Sequence, residues 1–210
     1  MLLITQKGNM RYEEFRRSLV QKGIFDLKDI RILFPNFNRR RLFEWQQKGY
    51  IVKIINGFYI FSEVEINESI LMRIANVIYP HSYISFETAL NHYGFIPESV
   101  YEITSASTRK TKIFSTLYGN FSYRSISSRL FFGYTINAEE GYIIASPEKT
   151  VLDYLYLRKG FDGNDLSQWR LNVDEYRKTV DQELMEKYLK IFNNKSLERK
   201  YSILKEYINA

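Results

Sequence analysis

The sequence predicts an α+β protein with a small helical head and a larger mixed domain, and three observations lead to this class. Apolar residues recur at helical spacing up to about residue 48, and a hairpin signature follows at residues 50–61. Strand-like patterns then fill residues 102–145, and helical patterns return toward the C-terminus. We therefore place one domain at residues 1–62 and a second at residues 63–210.

Two helices are predicted at the start of the head. In the first, apolar residues recur at helical spacing from Tyr12 to Leu19, and Gly23 suits the left-handed conformation that ends many helices. The second begins at Asp26, has Asp29 three residues later as in a capping box, and ends at the following proline.

The third helix is capped by Asn36 or Asn38 and extends to about Lys48. Leu42 and Trp45 mark its buried stripe, since they lie on one side of the helix. The side chains predicted to point away from this stripe are those of Arg40, Phe43 and Gln47.

Residues 50–61 carry a hairpin signal. Two runs of β-branched and aromatic residues flank Asn56-Gly57, a pair favoured in type I′ turns because both central residues need a positive φ. Three helices followed by a hairpin is the order of a winged helix-turn-helix, whose recognition helix enters the major groove of DNA. The predicted fold is therefore a winged helix-turn-helix followed by a mixed helix/antiparallel-sheet domain with C-terminal helices.

Positive charge is concentrated in the same head. Residues 1–62 hold 12 Lys and Arg against 5 Asp and Glu, a net charge of +7, whereas the remainder holds 18 against 19, a net charge of −1. A basic domain joined to a nearly neutral one is typical of proteins that bind nucleic acid. On charge alone, a solvated basic surface is the alternative.

The predicted DNA interface lies on the third helix and the hairpin. Arginines at a helix start suit both guanine edges and phosphates, and Lys53 on the hairpin suits a flanking phosphate. The candidate DNA-binding residues are Asn36, Asn38, Arg39, Arg40, Arg41, Phe43, Gln47, Lys48 and Lys53.

The second domain is predicted to be a helix–sheet–helix sequence. Its first two helices cover residues 63–79 and 85–93, and its strands are residues 103–104, 113–117, 121–126, 130–136 and 142–145. Ser146-Pro147-Glu148 then opens a helix that extends to about Arg158. Two helices follow from Val173, split near Asn193-Asn194, and the segment Gly160–Trp169 is predicted to be a mobile loop.

Few residues of the second domain suggest catalysis. Glu148, Lys149 and Asp153 share one predicted helix, and acids such as Glu87, Glu102 and Asp153 would be needed together in a metal-dependent nuclease. Glu148 needs no catalytic role, because the helix dipole already favours an acid near a helix N-terminus. A nuclease that the head directs to DNA is therefore kept as the alternative.

Other kinds of site lack their main signatures. His81 and His92 have no metal-binding spacing and are expected to be structural, and no cysteine is present. Phosphate-binding glycine loops and a serine nucleophile elbow are absent. We predict no catalytic residue, no metal and no cofactor, and a winged helix that binds a protein partner is a further alternative.

Localisation is predicted from the absence of apolar segments. The first fifteen residues lack the apolar run of a signal peptide, and no stretch approaches the ~18 apolar residues of a membrane span. We expect a cytoplasmic protein without a membrane partner.

Three stretches of the chain resemble the AbiEi-type antitoxins, which are transcriptional regulators of type IV toxin–antitoxin systems that act in phage defence. The stretches are residues 48–59, Ser82–Ser85 with Ala89-Leu90 and Tyr93-Gly94, and Ile144–Lys149 with Leu152-Asp153 and Tyr156. Their order and spacing carry the resemblance, which extends from about Arg11 to Arg158.

This resemblance implies a winged helix that binds inverted repeats in double-stranded DNA at its own promoter, an arrangement that suits a homodimer on the DNA. It also implies a C-terminal domain that supports repression and counteracts a nucleotidyltransferase-type toxin without binding it tightly. The predicted function is a repressor and antitoxin that is not an enzyme.

Overall fold

The protein is of mixed α+β type in a computed structural model that describes residues 10–97, 102–161 and 169–209. The chain divides into two compact units, the N-terminal unit of residues 1–66 and the C-terminal unit of residues 67–210. None of the helices in the described ranges is both long enough and apolar enough to cross a membrane.

The N-terminal unit combines three helices with a small antiparallel sheet in its described part. The helices are α1 (Tyr12–Leu19), α2 (Leu27–Leu33) and α3 (Arg40–Gln47), and the strands are β1 (Ile24–Asp26), β2 (Ile51–Ile55) and β3 (Phe58–Phe61). The strand order is β1-β3-β2. The sequence did not predict β1, because three residues between two helices are too few to show a strand period.

Aromatic rings fill the core of this unit. Phe15, Phe25, Trp45 and Phe61 are all buried, and the Phe15 ring centroid lies 4.6 Å from that of Trp45 and 5.4 Å from that of Phe25. Large rings bury much apolar area per residue, which suits a unit of this size.

The predicted hairpin is present, but its predicted turn type is wrong. β2 and β3 pair in antiparallel register, with Lys53 opposite Tyr59 and Ile55 opposite Phe58. A type I′ turn needs a positive φ at two residues, whereas only Gly57 of the pair has one, at +90°. The register shifts by one residue between Lys53 and Ile55, as at a β-bulge, which increases the local twist of the two strands.

The predicted capping box at the start of α2 is confirmed. The Asp26 carboxylate accepts hydrogen bonds from the backbone N–H groups of Lys28 (2.7 Å) and Asp29 (2.9 Å), and the Asp29 carboxylate accepts one from the N–H of Asp26 at 2.9 Å. Three donors that the helix cannot satisfy internally are thus bonded within four residues.

Replacing Asp26 by Ala should therefore destabilise the N-terminal unit by about 0.5–2 kcal/mol, the usual cost of losing a cap. Asp26→Asn keeps an acceptor oxygen and should lose much less. Urea unfolding of the full chain in a Trp169→Phe background measures both, because Trp45 is then the only tryptophan. An Asn variant as unstable as the Ala variant would contradict this explanation.

The C-terminal unit is built around a six-stranded sheet in its described part. Its helices are α4 (Glu68–Ile78), α5 (Phe86–His92), α6 (Pro147–Leu157), α7 (Val173–Thr179), α8 (Gln182–Phe192) and α9 (Lys195–Asn209). Its strands are β4 (Ser82–Ile84), β5 (Glu102–Ser107), β6 (Lys112–Thr116), β7 (Gly119–Ser125), β8 (Tyr134–Asn137) and β9 (Tyr142–Ala145). The strand order is β6-β7-β5-β4-β9-β8.

The expectation of an antiparallel sheet is wrong for two pairs of strands. β5 pairs with β7 in parallel, and so does β4 with β9. The second strand of the β6–β7 hairpin, rather than the first, pairs with β5, and this strand runs in the same direction as β5. The remaining pairs of this sheet are antiparallel.

Some element boundaries also differ from the prediction. Leu130, predicted to begin a strand, lies in a short 3-10 helix (Ser128–Leu130), and β4 was not predicted. The C-terminal region contains a further break before α8, where the Asp181 carboxylate accepts hydrogen bonds from two backbone N–H groups and starts a new helix. Most of the predicted loop at 160–169 lies outside the described residues, which omit 162–168.

Helix α6 is the central helix of the C-terminal unit. Every residue from Glu148 to Leu155 is buried, so the helix has no solvent-facing side over two turns. Ser146 caps it by accepting the N–H of Lys149, and Pro147 is its first residue, as the Ser-Pro pair predicted. The charged side chains of a buried helix need ion-pair or hydrogen-bond partners within the protein.

Candidate functional site

The first candidate site is the outward face of α3. The helix begins at Arg40, and the side-chain oxygen of Asn38 accepts a hydrogen bond from the Arg40 N–H at 3.0 Å. Of the two predicted caps, Asn38 therefore makes this bond, whereas Asn36 lies exposed in the turn before the helix. This short polar connection orients the N-terminal end of α3.

Helix α3 has two opposite faces. Leu42 and Trp45 are buried in the aromatic core, whereas the Arg40 side chain is 82% exposed and Phe43 is 62% exposed. Gln47 is exposed as well. Helical periodicity predicted this division, and the burial of these residues confirms it.

The three arginines differ in their availability. Arg41 is half-buried and donates to the Glu44 carboxylate at 2.7 Å, while the Arg40 Nε lies 3.8 Å from the other oxygen of Glu44. Arg39 precedes the helix and is exposed. Arg39 and the 82% exposed Arg40 are therefore accessible to a ligand, whereas Arg41 is held most closely by Glu44.

The remaining predicted residues continue from α3 into the hairpin. Lys48 is exposed after the helix, with its Nζ 6.0 Å from the ring centroid of Tyr50. Lys53 is exposed on β2 opposite Tyr59. All of the predicted DNA-binding residues apart from half-buried Arg41 are exposed.

The structure also exposes two apolar residues that were not predicted to be exposed. Ile32 and Leu33, at the end of α2, are 77% and 47% exposed, although Leu33 follows Ile30 at the spacing that predicts the same buried face. Phe34, directly after them, has left helical geometry, so Leu33 is the last residue of the helix. Helical periodicity does not predict the exposure of apolar residues at a helix end, because it assumes that the helix continues.

The second candidate site is a buried polar cluster in the C-terminal unit. Lys149 and Asp153 lie one turn apart on α6 and form an ion pair. The hydroxyls of Tyr83 and Ser85 donate to one Asp153 oxygen at 2.8 and 3.0 Å, and Lys149 donates to the Tyr83 hydroxyl at 2.8 Å. All four side chains are buried.

Burial of this cluster shifts the pKa values of two of its side chains. Burial lowers the pKa of Lys149, and the adjacent Asp153 carboxylate opposes that shift. Burial and the nearby carboxylate raise the pKa of Tyr83. The Lys149 Nζ also lies 5.1 and 4.9 Å from the ring centroids of Phe132 and Phe192, whose electron-rich faces attract a cation.

The acids considered for a nuclease do not converge. Glu148 accepts from the Ser146 hydroxyl at 2.8 Å and from the N–H of Asp181 at 2.9 Å, and Glu87 pairs with Arg124 at 2.8 Å. Across the described ranges, no group of three or more His, Asp or Glu residues could hold a metal ion. The hydrogen bonds of the cluster join Lys149 and Asp153 of α6 to Tyr83 of β4.

These features define a two-unit α+β protein with an exposed basic helix in its first unit. No protein-family model matches the sequence, and no curated protein matches it. Among solved structures, the chain is similar to the crystal structure of the Rv2827c protein from Mycobacterium tuberculosis, with a TM-score of 0.55 and 14% sequence identity. The similarity covers 87% of this chain and 73% of that one, and at this identity it shows a common fold alone.

Proposed function

We propose that the N-terminal unit is a winged helix-turn-helix that binds double-stranded DNA, and that the protein is a transcriptional repressor. The element order α1-β1-α2-α3-β2-β3 suits this fold, with α3 as the recognition helix and the β2–β3 hairpin as the wing. The observation that carries the proposal is the outward face of α3, where Arg40, Phe43 and Gln47 project away from the core.

The proposed binding has two physical parts. Arg39, Arg40 and Lys53 supply positive charge to phosphates, which releases condensed counterions and makes the affinity depend on salt. Arg40 and Gln47 supply hydrogen bonds to base edges in the major groove, since arginine suits guanine and glutamine suits adenine. The net charge of +7 in residues 1–62 favours both parts.

Replacing Arg40 by Ala should weaken binding to a sequence-selected duplex by about 1–3 kcal/mol, the contribution of one bidentate base contact. The Arg40 side chain is 82% exposed and alanine favours helix, so the fold should be unaffected. Fluorescence anisotropy with a duplex selected by the full chain from a randomised library measures the change.

Arg17→Ala is the matched control, because Arg17 is an exposed arginine on α1 and its loss removes the same charge. This variant should retain nearly all of the affinity. Unchanged binding by Arg40→Ala would remove this residue from the interface, and failure of the full chain to select or bind any duplex at low salt would refute the proposed function.

We also propose that this repressor is an antitoxin that counteracts a nucleotidyltransferase-type toxin in the cytoplasm. Support comes from the AbiEi-like stretches at residues 82–94 and 144–156, which meet in the buried cluster of Tyr83, Ser85, Lys149 and Asp153. A toxin encoded by the adjacent reading frame should arrest growth, and co-expression of the full chain should restore it. An adjacent frame that encodes no such enzyme, or arrest that persists, would contradict this role.

A further inference from the structure

Phe43 has an unusual position for a large apolar residue. It lies in the middle of α3 and is 62% exposed, while the core side of the same helix is occupied by Leu42 and Trp45. Arg40 and Gln47 lie one turn before and after it, at the spacing that places side chains next to one another on a helix surface. An aromatic ring therefore stands between two polar side chains on the outward face.

Helix stability does not account for a phenylalanine at this position. Alanine, glutamate or lysine would each favour the helix more, and none would expose an aromatic ring to water. A single exposed apolar residue is common on protein surfaces, so its chemistry has to be judged together with its neighbours. The neighbours here are an arginine that suits guanine or phosphate and an amide that suits adenine.

The apolar group that a major groove offers is the C5-methyl of thymine. Hydrogen-bonding residues read the other base edges, whereas thymine adds a methyl group that a side chain such as phenylalanine can cover. The flanking arginines at positions 39 and 40 favour a polyanionic occupant over an apolar protein surface, because charge complementarity selects among partners.

We propose that Phe43 reads thymine by packing against its C5-methyl group in the major groove. This inference rests on the proposed DNA-binding function and extends it to a specificity-determining residue. Burying one methyl-sized group between protein and DNA corresponds to about a fourfold change in affinity.

The test uses the duplex that the full-length protein selects from a randomised library. Each thymine in turn is replaced by deoxyuridine, which pairs identically but lacks the methyl group. At one thymine or more in the site, the substitution should weaken binding of the wild-type protein about fourfold. Phe43→Ala should bind the thymine and the deoxyuridine duplexes equally at that position.

Ile32→Ala provides the matched control, because Ile32 is an exposed apolar residue on α2 rather than α3. This variant should keep the full sensitivity to deoxyuridine. If the wild-type protein selects a sequence but tolerates deoxyuridine at every thymine, the inference is wrong and the DNA-binding function stands. Sensitivity that persists in Phe43→Ala also overturns it, whereas failure to select any sequence refutes the underlying function.

Discussion

Replacement of Lys149 by Met should destabilise the C-terminal unit by about 3–5 kcal/mol, as is usual when one partner of a buried ion pair is removed. The Asp153 carboxylate would stay fully buried and lose its counter-charge, keeping only the hydroxyl donors of Tyr83 and Ser85. Methionine fills a similar volume, so a cavity would contribute little to the loss.

Urea unfolding of the full chain in a Trp45→Phe background measures this effect. Trp169 is then the only tryptophan, and it reports on the C-terminal unit, where it is buried and stacked on Tyr154 at 4.9 Å between ring centroids.

Two variants test whether the loss comes from the unpaired charge. Lys178→Met removes a lysine that is 76% exposed and pairs with Glu175 at the surface, and it should change stability little. Combining Lys149→Met with Asp153→Leu should recover much of the loss, because no buried charge is then left unpaired. A Lys149 variant as stable as the Lys178 variant would refute the structural role of the cluster.

Removing four positive charges from the proposed interface should flatten the salt dependence of DNA binding. For the combined variant Arg39→Ala, Arg40→Ala, Arg41→Ala and Lys53→Ala, the slope of log affinity against log salt should fall by about 2.7 to 3.6, since each phosphate contact contributes about 0.9. The lower value applies if Arg41 contacts no phosphate, because it already forms an ion pair with Glu44.

Anisotropy titrations between about 50 and 200 mM salt give this slope. The charge-matched control replaces four exposed basic residues elsewhere on the described surface by alanine, namely Arg17, Lys187, Lys190 and Lys205. Its slope should stay near that of the wild-type protein. An equal fall in both variants would show that net charge alone, and no defined face, governs binding.

Features that depend on neighbouring residues could be predicted from the sequence. The capping box at Asp26 and the Ser-Pro start of α6 were predicted correctly, because their hydrogen bonds join residues two or three positions apart. The outward face of α3 was predictable for the same reason, since helical spacing alone decides which side chains share a face.

Features that depend on distant pairing could not be predicted. In the parallel pair β4–β9, Ile84 lies opposite Ile144, and no local pattern shows that these two residues meet. The sequence did not predict the buried cluster for the same reason. The sequence places Lys149 and Asp153 on one helix, but it does not show that Tyr83 and Ser85, which lie more than sixty residues earlier, bond to them.

The role of α3 as the DNA-facing element is tested most directly by hydrogen–deuterium exchange of the full chain, free and bound to its selected duplex. We expect slower amide exchange on binding in peptides that cover residues 38–53, and unchanged exchange in those of α9. Slowing confined to residues 67–209, or bound DNA without any slowing across residues 38–53, would contradict that role.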